Sequence, residues 1–287
     1  MRARSPGKST LRRLALAALT LAGLCTGAVA ATMGQPSPWE MNFQPAASPI
    51  METVESFHWF LLALIGTIMV FVMALLAICI LRFNARANPQ PSRTTHNTPL
   101  EIIWTVVPVF ILVAIAIPSF RLLYDQLHLP PADITVKATG TAAWTWTYAY
   151  PDHGNFSFDS IMLQDNERKP GQPRLLAVDN EMVVPVNKIV RMQITGDGII
   201  HSFTVPAFGI KIDAIPGRLN ETWFKATVEG MFYGQCSELC GRNHAFMPIA
   251  VRVVSEQAFA AWIEEAKKKY AASPDRPAVV AASDPAR

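Results

Sequence analysis

Two stretches without a formal charge, residues 57–81 and 102–120, constrain this chain more than any other feature. Each is long enough to cross the roughly 30 Å of hydrocarbon that about 20 helical residues span. The expectation is a two-helix membrane hairpin, with helices at about 57–81 and 102–122. Pro108 and Pro118 fall inside the second helix, where neighbouring groups can satisfy the carbonyls they free. Arg82, Arg86 and Arg93 lie between the two stretches with no acid among them, whereas Glu40, Glu52 and Glu55 precede the first. The positive-inside rule therefore puts the connecting loop in the cytoplasm and everything after Arg121 on the outer side. Glu101 opens the second helix from the cytoplasmic side. A carboxylate is favoured there by the helix dipole, and an ionisable group at bilayer depth can equally pass protons to a partner. Cys79 and His58 read as packing and interfacial residues.

The hairpin is preceded by a segment of a different kind. Arg2, Arg4, Lys8, Arg12 and Arg13 lead an apolar run from Leu14 to Val29, and Ala28-Val29-Ala30 supplies the small residues of a cleavage site. That order is a secretory signal over residues 1–30, so the mature chain is expected to begin near Ala31. The segment also accounts for the formal net charge of +3, because without it 20 basic residues face 22 acidic ones. The remainder has no electrostatic footprint for nucleic acid.

After the hairpin the periodicity changes. Ile134, Val136 and Ala138, then Val190, Met192 and Ile194, then the run from Met247 to Val254, alternate or cluster as strands do, separated by Pro, Gly, Asn and Asp. Residues 126–270 therefore read as an all-β domain, a sandwich or Greek-key barrel. Asp152-His153-Gly154-Asn155 and residues 168–173 carry turn chemistry. Ser255 can cap a closing helix with Phe259, Trp262, Ile263 and Ala266 on one face, and Glu264 and Glu265 stand four before Lys268 and Lys269. Residues 271–287 have the composition of a loose tail.

Chemistry is concentrated on one loop of this domain: Cys236, Glu238, Cys240, His244 and Met247, a Cys-x3-Cys-x3-His-x2-Met string between two expected strands. A disulfide between the two cysteines is one reading, but it leaves His244 and Met247 as coincidences. Zinc suits thiolate and imidazole, yet a thioether is a poor zinc ligand. Thiolate, imidazole and a weak axial Met make a copper electron-transfer site. One copper uses a single thiolate, so two cysteines suit a bridged pair. A second imidazole is then needed from another strand, and His201 is a better candidate than His128, beside the membrane, or His153, in a turn.

These strings bring out a resemblance. His96-Asn97-Thr98-Pro99-Leu100-Glu101 with Trp104-Thr105, Trp144-Thr145-Trp146, Asp213-Ala214-Ile215-Pro216-Gly217-Arg218, and the stretch from Gly234 through Cys236 to Pro248 are similar to cytochrome c oxidase subunit II, over about residues 50–265. The resemblance implies a two-helix transmembrane hairpin followed by a cupredoxin-like β domain on the periplasmic side of a bacterial inner membrane. It makes His201, Cys236, Cys240, His244 and Met247 ligands of a dinuclear copper centre, with Glu238 giving its backbone carbonyl. The Glu238 carboxylate would reach a magnesium ion shared with subunit I, and an oxygen ligand suits that hard cation. Trp144 matches the tryptophan that receives electrons from cytochrome c, Trp146 is left as a packing residue, and Glu101 matches the mouth of a proton pathway into subunit I.

The implied activity is electron transfer from cytochrome c to a haem of subunit I, where oxygen becomes water. A quinol-oxidase subunit would lack the copper ligands. A membrane-tethered copper-binding or copper-delivery protein is the alternative from another class, although Phe232, Tyr233, Phe246 and Pro248 suggest a packed loop rather than exchangeable ligands. No Cys-x-x-Cys-His string is present, so the donor haem belongs to another protein. Asp159 and Asp179 occupy two positions of the family's acidic docking ring, but Ala149, Gly198 and Thr145 replace the usual Glu, Asp and Tyr. A weakened docking patch is the expectation.

Overall fold

The computed structural model describes residues 34–270. The signal segment and the tail lie outside them. The membrane hairpin consists of α1, Pro49–Arg82, and α2, Thr98–Leu127. Ser48 caps α1 by accepting the Met51 N–H, and Asn97 caps α2 by accepting the Leu100 N–H; each helix has Pro in its first turn, where the missing donor costs nothing. Both helices run beyond the expected limits. The uncharged stretches mark only the part that crosses hydrocarbon, and the helical backbone continues through Glu52 and Glu55 in one and Arg121 and Asp125 in the other. At 1.5 Å per residue, 34 residues reach about 50 Å, well beyond the bilayer core. The apolar windows of both helices are unburied within the chain, as lipid-facing surfaces must be.

The outer domain is built on ten strands. β1 (Ile134–Gly140) is the centre of a five-stranded sheet in which β2 (Trp146–Tyr150) and β3 (Phe156–Ser160) lie on one side. On its other side are β5 (Ile189–Gly196) and β8 (Asn220–Lys225). The parallel register of β1 on β5 sets Ile134, Val136 and Ala138 opposite Val190, Met192 and Ile194. The two alternating apolar sets therefore share one face, and all six side chains are buried. A three-stranded sheet places β10 (Pro248–Val254) between β4 (Met182–Pro185) and β9 (Gly230–Gln235), and β6 (His201–Val205) pairs with β7 (Ile210–Ala214) as a hairpin. Side chains from all three sheets, among them Trp146, Phe203, Phe224, Phe232 and Ile249, form one core. This is a cupredoxin-like β sandwich.

The closing helix α3 (Glu256–Lys269) is capped by Ser255 and buries Phe259, Ile263 and Ala266. Within the helix Lys267 pairs with Glu264 at 2.8 Å, three residues apart rather than the four expected, and Lys269, the expected partner of Glu265, instead reaches Asn180 Oδ1 at 3.1 Å.

Polarity between the ends of this sandwich positions everything functional. The helices are tied to one end: Ser48 Oγ donates to the Phe208 carbonyl at 2.7 Å, Trp223 Nε1 to Asp125 O at 3.1 Å, and Ala47 N to Ala207 O at 2.8 Å. His201 pairs with Ala214 at the far end of the β6–β7 hairpin from the Val205 and Ile210 pair beside that junction. At the same far end β1 finishes at Gly140, while β9 finishes and β10 begins with Gln235 opposite Pro248. The 236–247 loop therefore hangs where the ends of β1, β6, β9 and β10 meet.

Candidate metal centre

Strand ends bring the five expected side chains together. Cys236 and Cys240 are free thiols, 6% and 7% exposed, with their sulfurs 3.7 Å apart. That separation excludes a disulfide, whose sulfurs lie about 2.05 Å apart. His201, fully buried, points Nδ1 at Cys236 Sγ across 3.8 Å. His244, in a single 3-10 turn of the loop, points Nδ1 at Cys240 Sγ across 3.5 Å. Met247, 2% exposed, sets its thioether 3.8 Å from Cys240 Sγ. The Cys236 thiol donates to the Glu238 carbonyl at 3.3 Å, so this backbone oxygen faces the cluster while the Glu238 side chain is exposed. His201 Nδ1 and the two sulfurs all lie within 4.8 Å of one another.

The donor set fits a copper pair rather than zinc. Two sulfurs are bracketed by one imidazole at each end, and a thioether and a carbonyl are the weak additional donors such metals accept. Thiols and imidazoles in direct apposition gain little from each other alone, whereas each supplies a lone pair to a metal. The electrostatics agree with a site that waits for cations. Burial pushes the Cys240 thiol up to about 11, and the neighbouring Cys236 adds to that rise. Burial lowers His201 below the ordinary imidazole range, against the opposing hydrogen bond to Thr141 and with the help of His244. The imidazole is thus held neutral, which is the ligating form.

His201 Nε2 lies 2.9 Å from the Thr141 carbonyl oxygen. Donation there requires the proton on Nε2 and leaves Nδ1 as the lone pair facing Cys236. Gly140 makes the approach possible, since a Cβ there would fall 2.7 Å from the His201 ring. The other outer histidines are engaged elsewhere: His128 Nδ1 sits 3.0 Å from Tyr124 O, and His153 packs edge-on against Phe259.

Both tryptophans of the Trp144-Thr145-Trp146 string reach the loop, from opposite sides of β2's start. Trp146 is fully buried, packs edge-to-face on Phe203 and donates Nε1 to Met247 O at 3.3 Å. Trp144 is half-buried and donates Nε1 to Cys240 O at 3.0 Å. Beside it opens a surface groove of about 640 Å³ lined in part by Ile161, Asp165, Arg174, Asn243 and Phe246. Asp159, partly buried, and Asp179, exposed, accept from Thr147 Oγ1 and from the Ile161 amide, each at 2.7 Å, and Asp165 is paired with Arg168 and Arg174. Glu101 lies far from this cluster in sequence and fold, at the start of α2, where its carboxylate accepts the Asn97 amide at 3.2 Å. Sequence reading did not pick out Thr141, Gly140 or Gly241; the only signal was a glycine four residues before the tryptophan string.

Comparison with known proteins gives the same outline. Residues 36–122 match the family profile of the cytochrome c oxidase subunit II transmembrane domain, and residues 134–254 that of its periplasmic domain. The chain is 48% identical to cytochrome c oxidase subunit 2 of Cereibacter sphaeroides, with 86% of this chain and 92% of that one covered. It is 46% identical to cytochrome c oxidase subunit 2 of Zea mays, covering 79% of this chain and 89% of that one. The crystal structure of the periplasmic domain of the Bradyrhizobium japonicum subunit II is 67% identical over 50% of this chain and 99% of its own, with a TM-score of 0.47. A membrane hairpin, a cupredoxin-like outer domain and a cysteine-histidine-methionine cluster thus coincide with sequence identity over most of the length, and the chain belongs to the cytochrome c oxidase subunit II family.

Proposed function

We propose that His201, Cys236, Cys240, His244 and Met247, with the Glu238 carbonyl, hold two copper ions, and that this subunit takes electrons singly from a cytochrome c. They leave for a haem of subunit I, where oxygen is reduced to water. The observation that carries this reading is the pair of buried, unbonded sulfurs 3.7 Å apart with one imidazole against each. When bound, the copper pair supplies a one-electron carrier whose charge the two thiolates largely offset. The chain's own part is to keep that carrier rigid and dry. Ligands from three strand ends cannot move independently, and Trp146, packed under Met247, closes the inner side.

Trp144 is the residue through which electrons arrive, because it is half-exposed beside an open groove and hydrogen-bonded to the backbone of Cys240. The exposed Glu238 carboxylate offers an oxygen to a magnesium ion shared with subunit I. Glu101 admits protons from the cytoplasmic side, and the hairpin sits in a bacterial inner membrane with the arginine loop inside. Copper delivery as the main role is disfavoured by burial of Cys236, Cys240 and Met247, since a donor must expose exchangeable ligands.

Electron paramagnetic resonance of the copper-loaded outer domain tests the reading. Hyperfine structure shared between two coppers is expected, and a single-copper pattern rejects it. Met247→Leu should retain metal and alter the spectrum, and Trp144→Phe in the assembled oxidase should slow cytochrome c oxidation with the copper spectrum unchanged.

A further inference from the structure

Trp144 has φ +58°, a left-handed conformation that a bulky residue adopts only when its surroundings impose it. What imposes it is a closed turn over residues 141–145. Thr141 N donates to Thr145 O and Trp144 N to Thr141 O, both at 3.0 Å. Thr141 Oγ1 accepts the amides of Ala143 and Thr145 at 3.3 Å and lies 2.7 Å from Thr145 Oγ1. Gly241, itself at φ +112°, lets the Trp144 ring lie against the metal loop, because a Cβ there would fall 3.1 Å from Trp144 Cζ2.

One atom of this turn has two tasks. The Thr141 carbonyl oxygen accepts both the Trp144 amide and His201 Nε2. The ring at the surface and the buried imidazole are therefore oriented from the same peptide, and that peptide is fixed by two threonine hydroxyls that touch neither metal nor donor. We infer that Thr141 and Thr145 are positioning residues, a hydroxyl clamp that sets the geometry between the electron-receiving indole and the copper-ligating imidazole in one adjustment. Threonine suits the place on physical grounds. Its hydroxyl is short enough to bond its own turn, and its β-branch restricts χ1, so the clamp costs little rotamer entropy. The inference rests on the roles given above to Trp144 and His201.

The test uses the assembled oxidase. Thr141→Val keeps shape and backbone but removes the hydroxyl. It should slow cytochrome c oxidation roughly tenfold, the effect of about one lost net hydrogen bond on the reactive geometry, and at the same time shift the copper resonance spectrum and midpoint potential through His201. Thr141→Ser, which keeps Oγ, should restore both. If Thr141→Val does not assemble, Thr145→Val decides: it leaves both amides bonded to Thr141 Oγ1 and should give a smaller change in the same two readouts. Rate and spectrum both within twofold of wild type would overturn the inference. So would a slowed rate with an unchanged spectrum, or a serine variant no better than valine. Failure of the underlying reading is distinguishable, because it would appear as a single-copper spectrum in the wild type or as unimpaired turnover in Trp144→Phe.

Discussion

The membrane hairpin and the metal end of the β domain are opposite solutions to placing apolar residues. In α1 and α2 large side chains such as Phe71 and Phe110 are 61% and 69% exposed within the chain, and one lipid-compatible residue there can replace another with little consequence for the fold. At the metal end almost nothing is interchangeable: Phe203 and Trp146 are fully buried, and each side chain of the cluster is aimed by a particular strand end or turn. Composition suffices where the solvent is lipid, whereas the centre needs register.

The contrast is broken most severely at Cys236. Replacement by Ser should abolish the two-copper signal and all cytochrome c oxidation while the hairpin still inserts; residual shared hyperfine would show that one thiolate is enough. The second effect is on reactivity. Burial, then the neighbouring Cys236, hold Cys240 at about 11, so in metal-free protein it is a thiol at neutral pH. Since the thiolate is the nucleophile, alkylation at Cys240, followed by mass spectrometry, should climb about tenfold per pH unit from neutrality and level off only near 11. A plateau near the ordinary thiol value of roughly 8.5 would mean the site is open to water.

A pair of phenylalanines sharpens the comparison directly. Phe203→Ala should cost the outer domain about 3–5 kcal/mol by thermal unfolding, while Phe71→Ala should leave the same transition within about 0.5 kcal/mol. Equal losses would refute the division of labour. Glu101→Gln has a smaller expected effect, a several-fold fall in turnover with electron uptake from cytochrome c unaltered. Glutamine can still accept the Asn97 amide, so unchanged turnover would leave Glu101 only its capping role. Smallest is the response to salt. With Ala149 and Gly198 in place of acids and Asp165 paired to Arg168 and Arg174, cytochrome c oxidation should change less than about twofold across physiological ionic strengths. Steep inhibition would restore an acidic docking ring.

Much of this was legible because it depends on composition or on local spacing. The hairpin followed from the absence of charge, its orientation from Arg82, Arg86 and Arg93, and the β class from alternation in residues 134–138 and 190–194. Four of the five clustered side chains lie on one loop, where spacing alone announces them. The helix limits were misjudged because a charge ends a hydrocarbon crossing but does not end an α-helix. On α3 the expected partner of Glu265, Lys269, is claimed by a residue distant in sequence, Asn180.

By itself, then, the sequence determined the division into hairpin and sandwich and the chemical character of the metal loop. Tertiary structure decided which imidazole completes the cluster, that the cysteines stay unbonded, and that Thr141 serves both Trp144 and His201. The reason is range. Hydropathy, capping and turn chemistry act between neighbours along the chain, whereas the 2.9 Å contact between His201 and Thr141 joins residues that meet only after β1, β2 and β6 have taken their register.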